Sequence, residues 1–215
     1  MKIQSNFLCA LTLFLTASFG MLHAQNDNVT TEFGVKGGFN MSNLTNDDNV
    51  DDENVLYGFN AGVYATLPIS DYIAIQPELL FTTKGAELEY NNDLLQGNAK
   101  FKLNYIELPL LVRVNITKNF NIQAGGYASY LVSSKVTGDG DIDFDEDIDT
   151  DDLNKFDAGI AAGVGVDFSP ISIGVRYNYG LTKVGKERSD GFGGTYTFPD
   201  AKNSNLSVYL SYKLN

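Results

Sequence analysis

Apolar residues recur at every second position through most of the chain beyond residue 31. In 55–67 the odd positions are Val55, Tyr57, Phe59, Ala61, Val63, Ala65 and Leu67, and Gly58, Asn60, Gly62 and Thr66 fall between them. The same pattern runs on the even positions of 120–132 and 156–168, the odd positions of 171–181, and Leu206, Val208, Leu210, Tyr212 and Leu214. Across these five segments 31 of 32 positions on one face are apolar, against 6 of 27 on the other. A helix places neighbours 3.6 residues apart and cannot produce that division; a strand, with period 2, must.

Three further segments alternate less cleanly. Residues 32–42 set Phe33, Val35, Phe39 and Met41 against Glu32, Lys36 and Asn40. Residues 72–84 set Ile73, Ile75, Leu79 and Phe81 against Gln76, Glu78 and Lys84. In 101–114, Phe101, Leu103 and Tyr105 share one register and Ile106, Leu108, Leu110, Val112 and Val114 the other, which predicts a β-bulge near Asn104-Tyr105 with a change of face. Pro77 and Pro109 lack a ladder donor and are expected at other irregularities. The expected count is eight strands.

The connections set the topology. They are 43–54, 68–71, 85–100, 115–119, 133–154, 169–170 and 185–203, long and short in strict alternation. Short turns at one end and long loops at the other describe an up-and-down antiparallel meander, and closing it into a barrel leaves no exposed sheet edge. The fold class expected is therefore all-β, an eight-stranded antiparallel up-and-down β-barrel.

Alternation does not say which face is outside. Of the 27 positions on the polar face, eight are Gly and only four, Asp157, Asp167, Arg176 and Lys213, carry charge. A water-facing sheet is rich in Lys, Glu and Thr; Gly, Asn, Ser and Gln suit the cramped interior of a small barrel. The apolar face carries aromatics toward the strand ends, among them Phe33, Tyr57, Phe120, Tyr130, Phe168 and Tyr212, as an interfacial girdle requires. Strands of 11–14 residues exceed the roughly 9–11 that cross a bilayer. These features place lipid outside. A soluble ligand-binding barrel is the alternative.

The N-terminus supplies the route. Residues 1–24 read as a secretory signal peptide, with Lys2 in the n-region, Phe7 to Phe19 as the apolar run, and Leu22-His23-Ala24 before the cut. Residues 25–215 form the barrel domain. Processing removes Cys9, the lone cysteine, and His23, the lone histidine. Disulfide frameworks, thiolate zinc sites and histidine-dependent hydrolysis are thereby excluded from the mature chain. With 27 acidic against 15 basic residues, a nucleic-acid partner is excluded too.

Several stretches carry a family resemblance. Gly34-Val35-Lys36-Gly37-Gly38-Phe39-Asn40, Gln76-Pro77-Glu78-Leu79-Leu80 with Lys84-Gly85, and Tyr105-Ile106-Glu107-Leu108-Pro109-Leu110-Leu111 resemble the PorT-like family of small outer-membrane β-barrel proteins. So do Gly125-Gly126-Tyr127, Asp157-Ala158-Gly159, Gly163-Val164-Gly165 and Arg176-Tyr177-Asn178-Tyr179-Gly180-Leu181. The resemblance spans nearly the whole mature chain. It implies an outer-membrane location, periplasmic termini, lipid contact and delivery by the barrel insertion machinery, with no assigned chemistry. One departure is the C-terminus, Tyr212-Lys213-Leu214-Asn215, where such barrels commonly end on an aromatic residue.

Two groups of polar residues are candidate sites. Lys36, Glu78, Glu107, Arg113, Asp157, Asp167 and Arg176 are expected inside the lumen as an ion-pair and hydrogen-bond network that plugs the barrel. Glu78 and Glu107 on neighbouring strands also leave a carboxylate-pair glycosidase open as an alternative. The second group is the loop 139–152, with nine acids in fourteen positions. Asp139, Asp141, Asp143, Asp145, Asp147 and Asp149 repeat at i, i+2 and i+4 as hard-cation loops do, and weak Ca²⁺ or Mg²⁺ binding or a basic partner is expected there. An EF-hand is not, because Glu146 and Asp152 fall where Gly and Glu would be needed. No cofactor is expected: Gly191-Phe192-Gly193-Gly194 lacks the Lys-Ser/Thr of a phosphate loop. The reading is a non-enzymatic outer-membrane barrel of structural or interaction role, not a wide pore.

Overall fold

A computed structural model describes residues 30–45, 55–92, 95–140, 144–147, 153–189, 195–197 and 201–215. Within them eleven strands form: β1 Glu32–Thr45, β2 Leu56–Pro68, β3 Ile73–Asn92, β4 Leu95–Asn115, β5 Phe120–Gly140, β6 Phe144–Asp147, β7 Phe156–Phe168, β8 Ile171–Lys183, β9 Glu187–Ser189, β10 Thr195–Thr197 and β11 Lys202–Lys213. Eight of them are the staves expected from the period-2 pattern. They pair in the order β1–β2–β3–β4–β5–β7–β8–β11, and β11 returns to β1, so the sheet closes with every neighbour antiparallel. Short β6 adds to the edge of β5, and β9 pairs with β10.

Burial follows the alternation along each stave. In β8, Ile173, Val175 and Tyr177 are exposed and Gly174, Arg176 and Asn178 are buried. Polar residues are inside and apolar residues outside, the reverse of a soluble barrel. Phe39 and Tyr57 are 78% and 73% exposed. An apolar belt of this extent is stable against hydrocarbon and unstable in water, which rules out the soluble alternative. Turns 69–72, 116–119 and 169–170 gather at one rim with both described chain ends: Lys213 N donates to Pro170 O at 2.8 Å and Phe33 N to Asn215 Oδ1 at 2.7 Å.

Two expectations need correction. The segment 85–100 is not a loop: β3 and β4 pair continuously from Gly85↔Lys102 to Asn92↔Leu95. Lipid on one side and lumen on the other impose alternation, whereas backbone pairing needs neither and outruns it. The register break at Asn104/Tyr105 is present, but the extra residue is Val132 of β5, between Tyr105↔Leu131 and Asn104↔Ser133. The face therefore changes on β5, and Leu103, Tyr105, Glu107, Pro109 and Leu111 of β4 all stay buried. Pro77 and Pro109 do fall at irregularities, as gaps without a register shift: β2–β3 pairing skips from Tyr64↔Glu78 to Leu67↔Ile75, and β3–β4 pairing from Pro77↔Leu110 to Leu80↔Glu107.

The β2–β3 ladder stops at Asn60↔Thr82. Beyond it Asn40 Nδ2 donates to Thr83 O, and Gly85 N donates to Ser42 Oγ, each at 3.0 Å, so side chains of β1 satisfy the bared strand edge. Gly85 has φ of 148°, and a Cβ there would sit 1.8 Å from Phe101 O. Only glycine fits this position.

Candidate functional site

The lumen is filled by side chains in layers. Near mid-barrel Glu78 of β3 receives Arg176 of β8 through two parallel bonds, Nη1 to Oε2 and Nη2 to Oε1, both 2.7 Å. Lys36 Nζ of β1 lies 3.0 Å from Oε1, and Gln76 Nε2 donates to the same oxygen at 2.7 Å. Arg176 also donates to Gln123 Oε1 at 2.8 Å. Lys36 Nζ stands 3.6 Å from the centre of the Tyr209 ring, a cation–π contact. One acid thus lies between two bases.

A second triad inverts the first. Lys84 Nζ of β3 meets Glu107 Oε2 of β4 at 2.5 Å and Asp157 Oδ2 of β7 at 3.6 Å, one base between two acids. Glu107 accepts from Ser129 Oγ and Asn178 Nδ2, at 3.2 and 3.0 Å. Asp157 accepts from Thr182 Oγ1 at 2.9 Å, Asn203 Nδ2 at 3.1 Å and Tyr127 OH at 3.3 Å. Each triad alone carries a net charge of one unit; together they cancel. Buried ions are tolerated when paired, and every charge here has an opposite partner, with Lys84 Nζ held by its ion pairs and no hydrogen bond.

Three tyrosines of the lumen lie across glycines. A Cβ on Gly34, Gly159 or Gly174 would come within 2.4, 2.7 and 2.4 Å of the side chains of Tyr64, Tyr127 and Tyr209. That is a physical reason for glycine on the lumen face. Toward the long-loop end an apolar layer of Leu103, Tyr105, Leu131, Leu153 and Val184 closes the interior, with Leu44 and Phe101 packed against it. Between the triads a cavity of about 10 Å³ remains, beside Lys36, Glu107 and Arg176, which is room for one water. A sugar cannot reach Glu78 or Glu107, so the arrangement gives carboxylate-pair hydrolysis no substrate space.

Toward the short-turn rim the packing opens. Arg113 Nη2 donates to Asp167 Oδ2 at 2.6 Å, and its Nε donates to Asn115 Oδ1 at 3.1 Å. Asn121 Nδ2 and Ser172 Oγ complete the Asp167 carboxylate, at 2.8 and 2.6 Å. This pair borders a cavity of about 660 Å³ that opens at the rim.

Of the lumen residues read from the sequence, Lys36, Glu78 and Arg176 meet in one triad, Glu107 and Asp157 in the other, and Arg113 and Asp167 stand apart at the mouth. Arg113 does not reach Glu78 or Glu107. Lys84, the centre of the second triad, was absent from that set although it shares the parity of Gln76 and Glu78. Parity was the signal that could have found it. In the acidic segment, Asp141, Asp143 and Asp149 lie outside the described residues, as do the signal segment and Gly191-Phe192-Gly193-Gly194. Asp139, Asp145 and Asp147 are placed by backbone pairing alone, opposite Asn98, Thr137 and Lys135. Among the described residues no group of three acidic, His or Cys side chains is arranged to hold a metal ion.

No curated protein matches the sequence. Among solved structures, Ail of Yersinia pestis in complex with the heparin analogue sucrose octasulfate is 16% identical, with TM-score 0.46, covering 86% of this chain and 99% of its own. Neisserial surface protein A is 14% identical, with TM-score 0.45, covering 87% and 100%. The outer membrane protease OmpT of Escherichia coli is 10% identical, with TM-score 0.32, covering 87% and 97%. The family described as outer membrane protein beta-barrel domain matches residues 23–185. The chain therefore belongs to the outer membrane protein beta-barrel domain family, and its location is the outer membrane, with its apolar face against lipid.

Proposed function

We propose that this small outer-membrane barrel is neither a wide pore nor an enzyme, and that it acts as a structural or interaction component of the envelope, in the PorT-like subgroup. The observation that carries the reading is the plugged lumen: two mutually neutralising ion triads under an apolar layer, with about 10 Å³ left between them. Eight staves leave room only for side chains, and here side chains occupy it. Signal cleavage after Ala24, assembly by the insertion machinery and periplasmic termini belong to the same reading, as does weak divalent-cation or basic-partner binding at 139–152.

The test has two readouts. Purified protein in a planar bilayer is expected to show no stable conductance, and on a semi-native gel its migration is expected to change with heating. Crosslinking pull-down from intact envelopes then identifies the partner. Steady single-channel conductance of porin size would overturn the reading. Calorimetry at millimolar Ca²⁺ and Mg²⁺ tests the acidic loop, and absence of heat removes that part.

A further inference from the structure

The cavity at the short-turn rim has a distinctive wall. It is built from hydroxyl and amide side chains such as Thr66, Asn115, Thr117 and Ser172, together with Tyr64 and Tyr72. Its apolar surface comes from Ala74, Pro68 and Pro170, and among the described residues no Leu, Ile, Val, Met or Phe lines it. An acyl chain or a large apolar side chain therefore finds little to pack against. Among the described residues the charges of the wall also balance, with Glu32, Asp71 and Asp167 against Arg113, Lys118 and Lys213. Two of the pairs are closed, Arg113–Asp167 at 2.6 Å and Lys213–Glu32 at 2.9 Å. An ion of either sign meets repulsion beside every attraction.

What the wall retains is hydrogen-bonding capacity and aromatic surface. Asp167 is saturated by Arg113, Asn121 and Ser172, but Arg113 uses only Nε and one Nη2 bond and keeps N–H donors. The Thr66 hydroxyl is buried without a partner. Tyr72, two-thirds exposed, presents its ring at the turn. Donors, acceptors and aromatic faces on a neutral wall suit a saccharide: hydroxyls fill the polar positions and the C–H face of a sugar ring lies on tyrosine. An acetamido group adds a carbonyl for Arg113 and a methyl for the Ala74 and proline surface. At about 660 Å³ the cavity is of the size that holds a small ligand. We propose that this mouth binds an N-acetylated amino-sugar oligosaccharide, the chemistry of a cell-wall glycan strand. The proposal rests on the interaction role above and supplies its periplasmic side, the side that short turns face in such barrels.

The test is an NMR titration of the full chain, refolded in detergent micelles, with chitotriose, cellotriose and inorganic phosphate in separate arms. Chitotriose is expected to shift resonances of Thr66, Tyr72, Thr117 and Ser172 with a dissociation constant of about 1 mM, leaving those of the sealed lumen unmoved. Tyr72→Ala, on an exposed turn, is expected to weaken binding about fivefold by loss of stacking, with heat-modifiable migration showing that the barrel is intact. Thr66→Val serves as the second variant. No chitotriose shift at about ten times that concentration, equal binding of cellotriose, or shifts with phosphate alone would each overturn the proposal. None of these outcomes affects conductance or migration on the gel, which test the envelope role separately.

Discussion

The barrel holds ion pairs in two settings, the sealed lumen and the open mouth, and the same residue types do different work in each. The side chain of Glu78 is 0% exposed and its partner Arg176 is 4% exposed. At the mouth Arg113 and Asp167 are 14% and 19% exposed, and Lys213 and Glu32 on the rim are 31% and 38% exposed. In the lumen, water cannot replace a lost partner, so each ion depends on the others. At the mouth it can, and the pairs shape a surface more than they hold the fold. The contrast teaches that charge in this protein is a packing material on one side and a ligand-facing wall on the other.

The strongest way to break the comparison is Glu78→Gln. It leaves Lys36 and Arg176 facing each other without a carboxylate, and an uncompensated buried charge costs about 3–5 kcal/mol. Denaturant unfolding in detergent, followed by gel migration, is expected to show a large fall in midpoint; an unchanged midpoint would mean that water reaches the triad. Leu103→Ala examines the dry end of the same lumen. Leu103 is 0% exposed, so the variant is expected to lose about 2–5 kcal/mol through the cavity it opens. Wild-type stability there would show that the apolar layer is loosely packed.

At the mouth the effects shrink. Arg113→Gln removes a partly exposed pair, and the expected loss is about 1 kcal/mol. A loss as large as that of Glu78→Gln would erase the distinction between the two settings. Glu32→Gln on the rim is expected to change stability by less than about 0.5 kcal/mol, and by less again at high salt. Measuring both variants at low and high ionic strength sharpens the point: salt should alter the rim pair and leave the Glu78 triad unaffected.

Much of the architecture was legible in the chain because lipid and lumen impose opposite demands on successive residues. Val175, Arg176 and Tyr177 already state which way β8 faces. The β4–β5 irregularity was legible for a reason only half right. Apolar Phe101, Leu103 and Tyr105 suggested a change of face on β4, whereas they point inward and Leu103 and Tyr105 belong to the closing layer. Parity identifies a face only where one side of a strand is uniformly polar, and this lumen is polar in the middle and apolar at one end. The 85–100 segment was misread because pairing continues after the alternation that announces it has ended.

The sequence by itself determined the staves, their order and the lipid-facing side. Period-2 alternation and turn lengths are local properties, and closure follows from them. Only the tertiary structure decided which charge meets which. Lys36 and Glu78 come from staves separated by β2, and Arg176 crosses to Glu78 from β8 on the far part of the ring. Those encounters depend on the tilt and stagger of the closed barrel. No property of a single strand encodes them, and for that reason Lys84 emerged as the centre of a triad while Arg113 was carried to the mouth.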